Sequence, residues 1–81
     1  MSASFRRDAC NALTVALQAM RYCEDRHDSL LIATRNEGER STESSTYRHM
    51  DTELRSASDA MLAARKRVDH CYNVMRATYD R

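Results

Sequence analysis

The chain has 81 residues, which is enough for one small domain. Hydrophobic residues make up 42% and charged residues 31%, a balance typical of a folded chain and not of a disordered one. Its 13 Lys and Arg against 12 Asp and Glu leave a net charge of +1, which argues against general nucleic-acid binding because such proteins carry a large basic excess. No apolar run approaches the roughly 20 residues of a membrane span, and no secretory signal begins the chain, so we expect a cytoplasmic protein without membrane contact.

Helix is the expected structure over most of the chain, because the sequence contains no Pro and a single Gly. It divides into two long helical segments, at about residues 4–36 and about 46–80, joined by a polar linker at about 37–45. Gly38 suits the left-handed conformation in which many helices end. A Ser or Thr at positions 44–46 can cap the second helix by accepting from its free N–H groups.

Apolar residues recur at alternating steps of three and four along the second segment, the pattern that lines a helix seam. The seam positions are Tyr47, Met50, Leu54, Ala57, Met61, Ala64, Val68, Cys71, Met75 and Thr78. The first segment follows a weaker version with extra apolar residues on both flanks. Its seam positions are Ala9, Leu13, Ala16, Met20, Cys23, His27, Leu30 and Thr34. The sequence therefore predicts one all-α domain, an antiparallel, coiled-coil-like hairpin of two helices.

The pairing register of such a hairpin follows from matching the two seams. Residue numbers that add to about 81 across the hairpin place Leu13 beside Val68 and Met20 beside Met61, and both layers are apolar on each side. This agreement supports the hairpin, although a shift of three or four residues gives another set of layers.

Self-association is expected because the seam is rich in Ala, which buries little area, so a lone hairpin is marginal. The wide apolar stripe of the first helix can be covered by a second copy, which predicts a homodimer in the form of a four-helix bundle. The candidate self-association residues are Phe5, Leu13, Leu17, Met20 and Leu31.

No catalytic, cofactor or metal site is expected from the sequence. The three Cys match no zinc pattern, the three His lack the partners of acid–base or nucleophilic catalysis, and one Gly makes no phosphate loop. Cys10 and Cys71 face each other in the predicted register, so a disulfide between them stays open. Free thiols are preferred for a chain without a secretory signal.

The candidate partner-binding surface consists of residues that the seam leaves outside, since Tyr and Arg are enriched at binding hot spots. These residues are Leu62, Arg65, Tyr72, Arg76 and Tyr79 on the second helix, with Ile32 on the first. In the alternative interpretation, the two tyrosines cover the open end of the seam and Leu62 packs in the oligomer.

Residues 44–66 carry a resemblance to a known group of proteins. A Ser/Thr-rich turn precedes a Leu54-Arg-Ser-Ala57 step and an Ala64-Arg-Lys66 ending, which resembles the second helix of small phage-encoded helical hairpins. Members of that group sequester cyclic-nucleotide defence signals, or bind a quorum-sensing regulator or a pilus motor ATPase of the host. The resemblance implies a phage-encoded inhibitor that binds a host protein in the host cytoplasm, without catalysis. It assigns no ligand residue in this chain.

The expected function is therefore stoichiometric binding to another protein through an apolar and Tyr/Arg helix face. Two alternatives stay open. The first is a small secretion chaperone or structural subunit. The second is an oligomeric sponge whose arginines hold an anionic nucleotide, which nucleotides would stabilise in a thermal-shift screen.

Overall fold

The computed structural model describes residues 3–79, and within that range it contains two α-helices and no strand. Helix α1 spans Ala3–Arg40 and helix α2 spans Ser45–Tyr79. The helices contact each other from one end to the other, in a rod of 58 × 14 × 13 Å. The predicted all-α helical hairpin is confirmed.

Neither helix within residues 3–79 is long and apolar enough to cross a membrane.

The end of α1 differs from the prediction, because the helix continues through Gly38 to Arg40. The φ of Gly38 is not positive, so the expectation of a left-handed helix end at this residue is wrong. The ring of Tyr47 packs there instead, and a Cβ added to Gly38 would lie 2.9 Å from Cε2 of Tyr47. Glycine lets α2 begin close against the last turns of α1. The linker is therefore only residues 41–44.

Serine hydroxyls close this short linker. The Ser44 hydroxyl accepts from the N–H of Tyr47 at 2.9 Å, so the structure assigns the expected cap of α2 to Ser44. The same hydroxyl donates to the Ser41 carbonyl at 3.4 Å. The Ser41 hydroxyl accepts from the N–H of Glu43 at 3.2 Å. The first of these bonds partners an N–H that the start of α2 leaves without a helical partner, and the other two lie within the linker.

Two contacts near opposite ends of the rod define the pairing register. The Arg6 guanidinium donates to the Thr78 carbonyl at 3.2 Å, and the Thr34 hydroxyl donates to the Met50 carbonyl at 3.5 Å. The residue numbers of both pairs add to 84, not to about 81. The observed register is therefore shifted by about three residues, nearly one helical turn, from the predicted one.

The interior between the helices is apolar but thin. Small side chains bring the two backbones together and bury little area each. The buried residues among those described are Ala9, Ala16, Thr34, Ala57, Met61, Cys71 and Thr78. Residues whose numbers add to 84 lie level with each other in this register. Met61 is therefore level with Cys23, and Met20 with Ala64, in place of the Met20–Met61 layer expected from the sequence.

Candidate functional site

One long side of the rod is defined by contacts between the helix edges. The Sγ of Cys10 lies 3.9 Å from the Tyr79 hydroxyl, and the Arg65 guanidinium lies 3.5 Å from the Glu24 carboxylate. Positions seven residues apart lie on the same side of a seam helix. Leu17 is seven residues after Cys10 and seven before Glu24, so it lies between these two contacts. We call this surface the tyrosine side; it comprises Cys10, Leu17 and Leu31 of α1, and Leu62, Arg65, Tyr72, Arg76 and Tyr79 of α2.

The large side chains of the tyrosine side are about half in water. Exposed fractions are 49% for Leu62, 48% for Tyr72 and 57% for Tyr79. The Tyr79 ring is held by Arg6, whose guanidinium carbon lies 4.6 Å from the ring centroid. Sequence reasoning missed Arg6, although it lies seven residues before the seam residue Leu13. The two tyrosines lie two turns apart, about 10 Å along α2.

The linker end of the tyrosine side forms a shallow open groove of about 350 Å³. Its walls are Leu31, Thr34, Arg35, Gly38, Glu39, Tyr47, Asp51 and Leu54. Asp51 is paired with Arg55 at 3.2 Å. An open groove can receive a side chain of a partner but does not enclose a small molecule.

No metal centre is built from the residues that the structure describes, since no three His, Cys, Asp or Glu side chains among them cluster around one point. The three cysteines are free. Cys10 lies beside the Tyr79 hydroxyl, and the structure contains no Cys10–Cys71 disulfide.

The opposite long side carries a second groove of about 320 Å³, lined by Ala9, Ala12, Arg67, His70, Cys71 and Val74. Seven-residue steps extend this surface along both helices. We call it the alanine side; it comprises Phe5, Ala12, Val15, Ala19 and Tyr22 of α1, and Ala60, Ala63, Val74 and Ala77 of α2. Val15 is 62% exposed and Tyr22 is 70% exposed.

The five predicted self-association residues do not share one surface. Leu13 and Met20 lie on the seam toward α2, where they are half-buried. Phe5 lies on the alanine side, whereas Leu17 and Leu31 lie on the tyrosine side. A two-fold interface uses the same patch on both subunits, so a single two-fold interface does not include all five. Which of the five contact a second copy therefore stays a prediction.

Ile32 is also separated from the other partner-binding candidates. It is 59% exposed and lies on the outer face of α1, in the same seven-residue series as Gln18 and Asp25. Its place near the linker end puts it away from the stripe of α2 that carries Tyr72 and Tyr79. The structure brings together only the five candidates on α2.

The fold and its two sides define the class of the protein as an all-α helical hairpin with exposed apolar edges. Comparisons with known protein families, curated proteins and solved structures find no match.

Proposed function

We propose that this chain is a non-catalytic protein-binding module that works as a homodimer. The observation that carries the proposal is the contrast between the interior and the surface of the hairpin. Buried residues are mostly Ala and Thr, whereas seven large apolar side chains are exposed: Phe5, Val15, Tyr22, Ile32, Leu62, Tyr72 and Tyr79. Six of the seven lie on the two long sides, and monomeric soluble proteins rarely expose contiguous apolar patches of more than roughly a few hundred Å². Burial against other protein chains supplies the apolar contact that two helices alone lack.

Dimerisation into a four-helix bundle is the first part of the proposal, and we assign it to the alanine side. Small side chains on this side allow the helices of two hairpins to approach closely, and the interface covers Val15 and Tyr22. Four charged residues lie on this side within residues 5–33 of α1 and 53–77 of α2. They are Asp8, Arg26, Glu53 and Arg67. They include two of each sign, so a two-fold copy meets no net repulsion.

Binding of a different protein is the second part, and we assign it to the tyrosine side, which the bundle leaves open. Tyr72, Tyr79 and Arg76 are residue types that dominate binding energy at protein interfaces. The phage-hairpin resemblance of residues 44–66 adds that the partner is a host protein and the chain its inhibitor. That addition depends on the resemblance alone.

Site-specific photocrosslinking tests the partner surface. A photoreactive amino acid replaces Tyr72 in the full chain, and the matched control places it at Asn73. Both positions are exposed, but they point about 100° apart around α2. In extracts of the cells that make the protein, we expect a discrete adduct of higher mass from position 72 and none from position 73. Equal adducts from both positions, or none from either, contradict the assignment.

A further inference from the structure

We infer that the tyrosine side binds an acidic amphipathic helix, an inference that deepens the proposed function and depends on it. The supporting observation is the distribution of charge. Between the open end of this side and the Arg65–Glu24 pair, that pair included, four arginines stand against two carboxylates: Arg7, Arg21, Arg65 and Arg76 against Glu24 and Asp69. Four minus two gives a local charge of +2, compared with +1 for the whole chain. Asp80 and Arg81 lie outside the described residues, and their charges cancel.

Helix geometry places these arginines around the exposed tyrosines. Arg76 lies four residues after Tyr72 and three before Tyr79, so the three form one stripe of α2. Arg7 and Arg21 lie within one turn of the α1 residues that border this stripe. The Arg6 guanidinium over the Tyr79 ring adds a further positive charge at the open end.

Most of this positive charge is not neutralised by the residues that the structure describes. Arg65 is 3.5 Å from Glu24, in a pair whose side chains are 49% and 35% exposed. Across residues 3–79, none of the ion pairs involves Arg7, Arg21 or Arg76. Guanidinium groups donate paired hydrogen bonds to carboxylates, so these arginines suit a partner with acidic side chains along its edge.

The shape of the tyrosine side favours a helix as the binding partner. The side is long, straight and shallow, and an amphipathic helix laid along it can place apolar residues on Leu17, Leu62 and Tyr72 while its flanks reach the arginines. A second copy of this chain fits less well. Two-fold contact through the tyrosine side would set the same arginines against each other, and like charges across an interface are unfavourable.

The test uses the full-length protein and a labelled designed helical peptide of about 18 residues, or five turns, with Leu on one face and Glu on the flanks. A charge-reversed peptide has Lys in place of every Glu, and fluorescence anisotropy measures both affinities. We expect the Glu peptide to bind at least about tenfold more tightly than the Lys peptide, with a preference that shrinks as salt is added.

Matched charge reversals locate the binding. Arg76→Glu on the tyrosine side should weaken the Glu peptide by about five- to tenfold, and Arg67→Glu on the alanine side by less than about twofold. The two variants change the net charge equally because both replace Arg with Glu. Both positions are exposed on α2, so their surroundings are comparable. Equal losses from the two variants, equal affinities of the two peptides, or binding of neither peptide overturns the inference. If both peptides bind equally and Tyr72→Ala weakens both, the inference is likewise overturned, because the side then binds helices without regard to their charge. The proposed function is judged separately by the adduct from position 72.

Discussion

The ring of Tyr47 packs on Gly38 so closely that a Cβ added to the glycine would lie 2.9 Å from Cε2 and 3.4 Å from Cδ2. This contact joins the last turns of α1 to the first turn of α2. It explains why the single glycine of the chain lies inside a helix and not at its end. Alanine would favour the helix by about 1 kcal/mol at an interior position but would force the ring to move.

We expect Gly38→Ala to change the free energy of unfolding by less than about 1 kcal/mol, because displacement of the Tyr47 ring from its rotamer costs about 0.5–1.5 kcal/mol and offsets the helix propensity. In a Tyr47→Ala background the same substitution should stabilise the protein by up to about 1 kcal/mol. Urea unfolding of the four chains measures this coupling as a double-mutant cycle. An identical effect of Gly38→Ala in both backgrounds would show that the ring does not restrict position 38.

The helices could be predicted from the sequence, because the chain lacks Pro and repeats its apolar residues at helical spacing. The place of Gly38 inside α1 could not, since the ring that packs on it comes from the next helix and leaves no local signal. The register was also underdetermined. An apolar pattern with steps of three and four is matched nearly as well after a shift of one turn. The contacts that settle it, Arg6 to Thr78 and Thr34 to Met50, use backbone carbonyls, which a side-chain pattern does not encode.

The sequence predicts which residues share a surface when they lie on one helix, but not when they lie on two. The spacing of Leu62, Arg65 and Tyr72 along α2 fixes their angle around the helix axis, so their common stripe follows from the sequence. The separation of Phe5 from Leu17 depends on where α2 crosses the stripe of α1. That position is a property of the packed pair, which neither helix specifies alone.

Met61 should contribute more to stability than Met20. Met61 is 9% exposed, whereas Met20 is only half-buried. We expect Met61→Ala to cost about 2–5 kcal/mol and Met20→Ala clearly less, measured by denaturation followed by circular dichroism at a fixed protein concentration. If Met61→Ala does not fold, Met61→Leu conserves the volume and should retain the fold at a cost below about 1.5 kcal/mol. A larger loss from Met20→Ala than from Met61→Ala would indicate a different register.

The three thiols should differ in reactivity. Cys71 is buried between the helices, whereas Cys10 and Cys23 are half-buried. In variants that retain one cysteine each, we expect a thiol reagent to modify Cys71 most slowly in the native protein and all three at similar rates in denaturant. Rapid native labelling of Cys71, at the rate of Cys10, would show that the seam opens or that its position is misassigned.

The dimer can be tested with a matched pair of charge insertions on α1. Ala19 lies on the alanine side and Gln18 on the outer face, and both are exposed in the single hairpin. Glutamate at position 19 would be buried twice across the proposed two-fold interface, where an unpaired charge is costly, while glutamate at position 18 would stay in water. We therefore expect wild type and Gln18→Glu to sediment at the mass of two chains at micromolar concentration. Ala19→Glu should sediment as a monomer with reduced helix content, because the isolated hairpin buries too little to be stable.

A third variant, Leu17→Glu, distinguishes the two sides. If it dissociates the dimer and Ala19→Glu does not, the copies associate through the tyrosine side. A wild-type chain that sediments as a well-folded monomer would overturn the dimer and leave both sides open to other proteins.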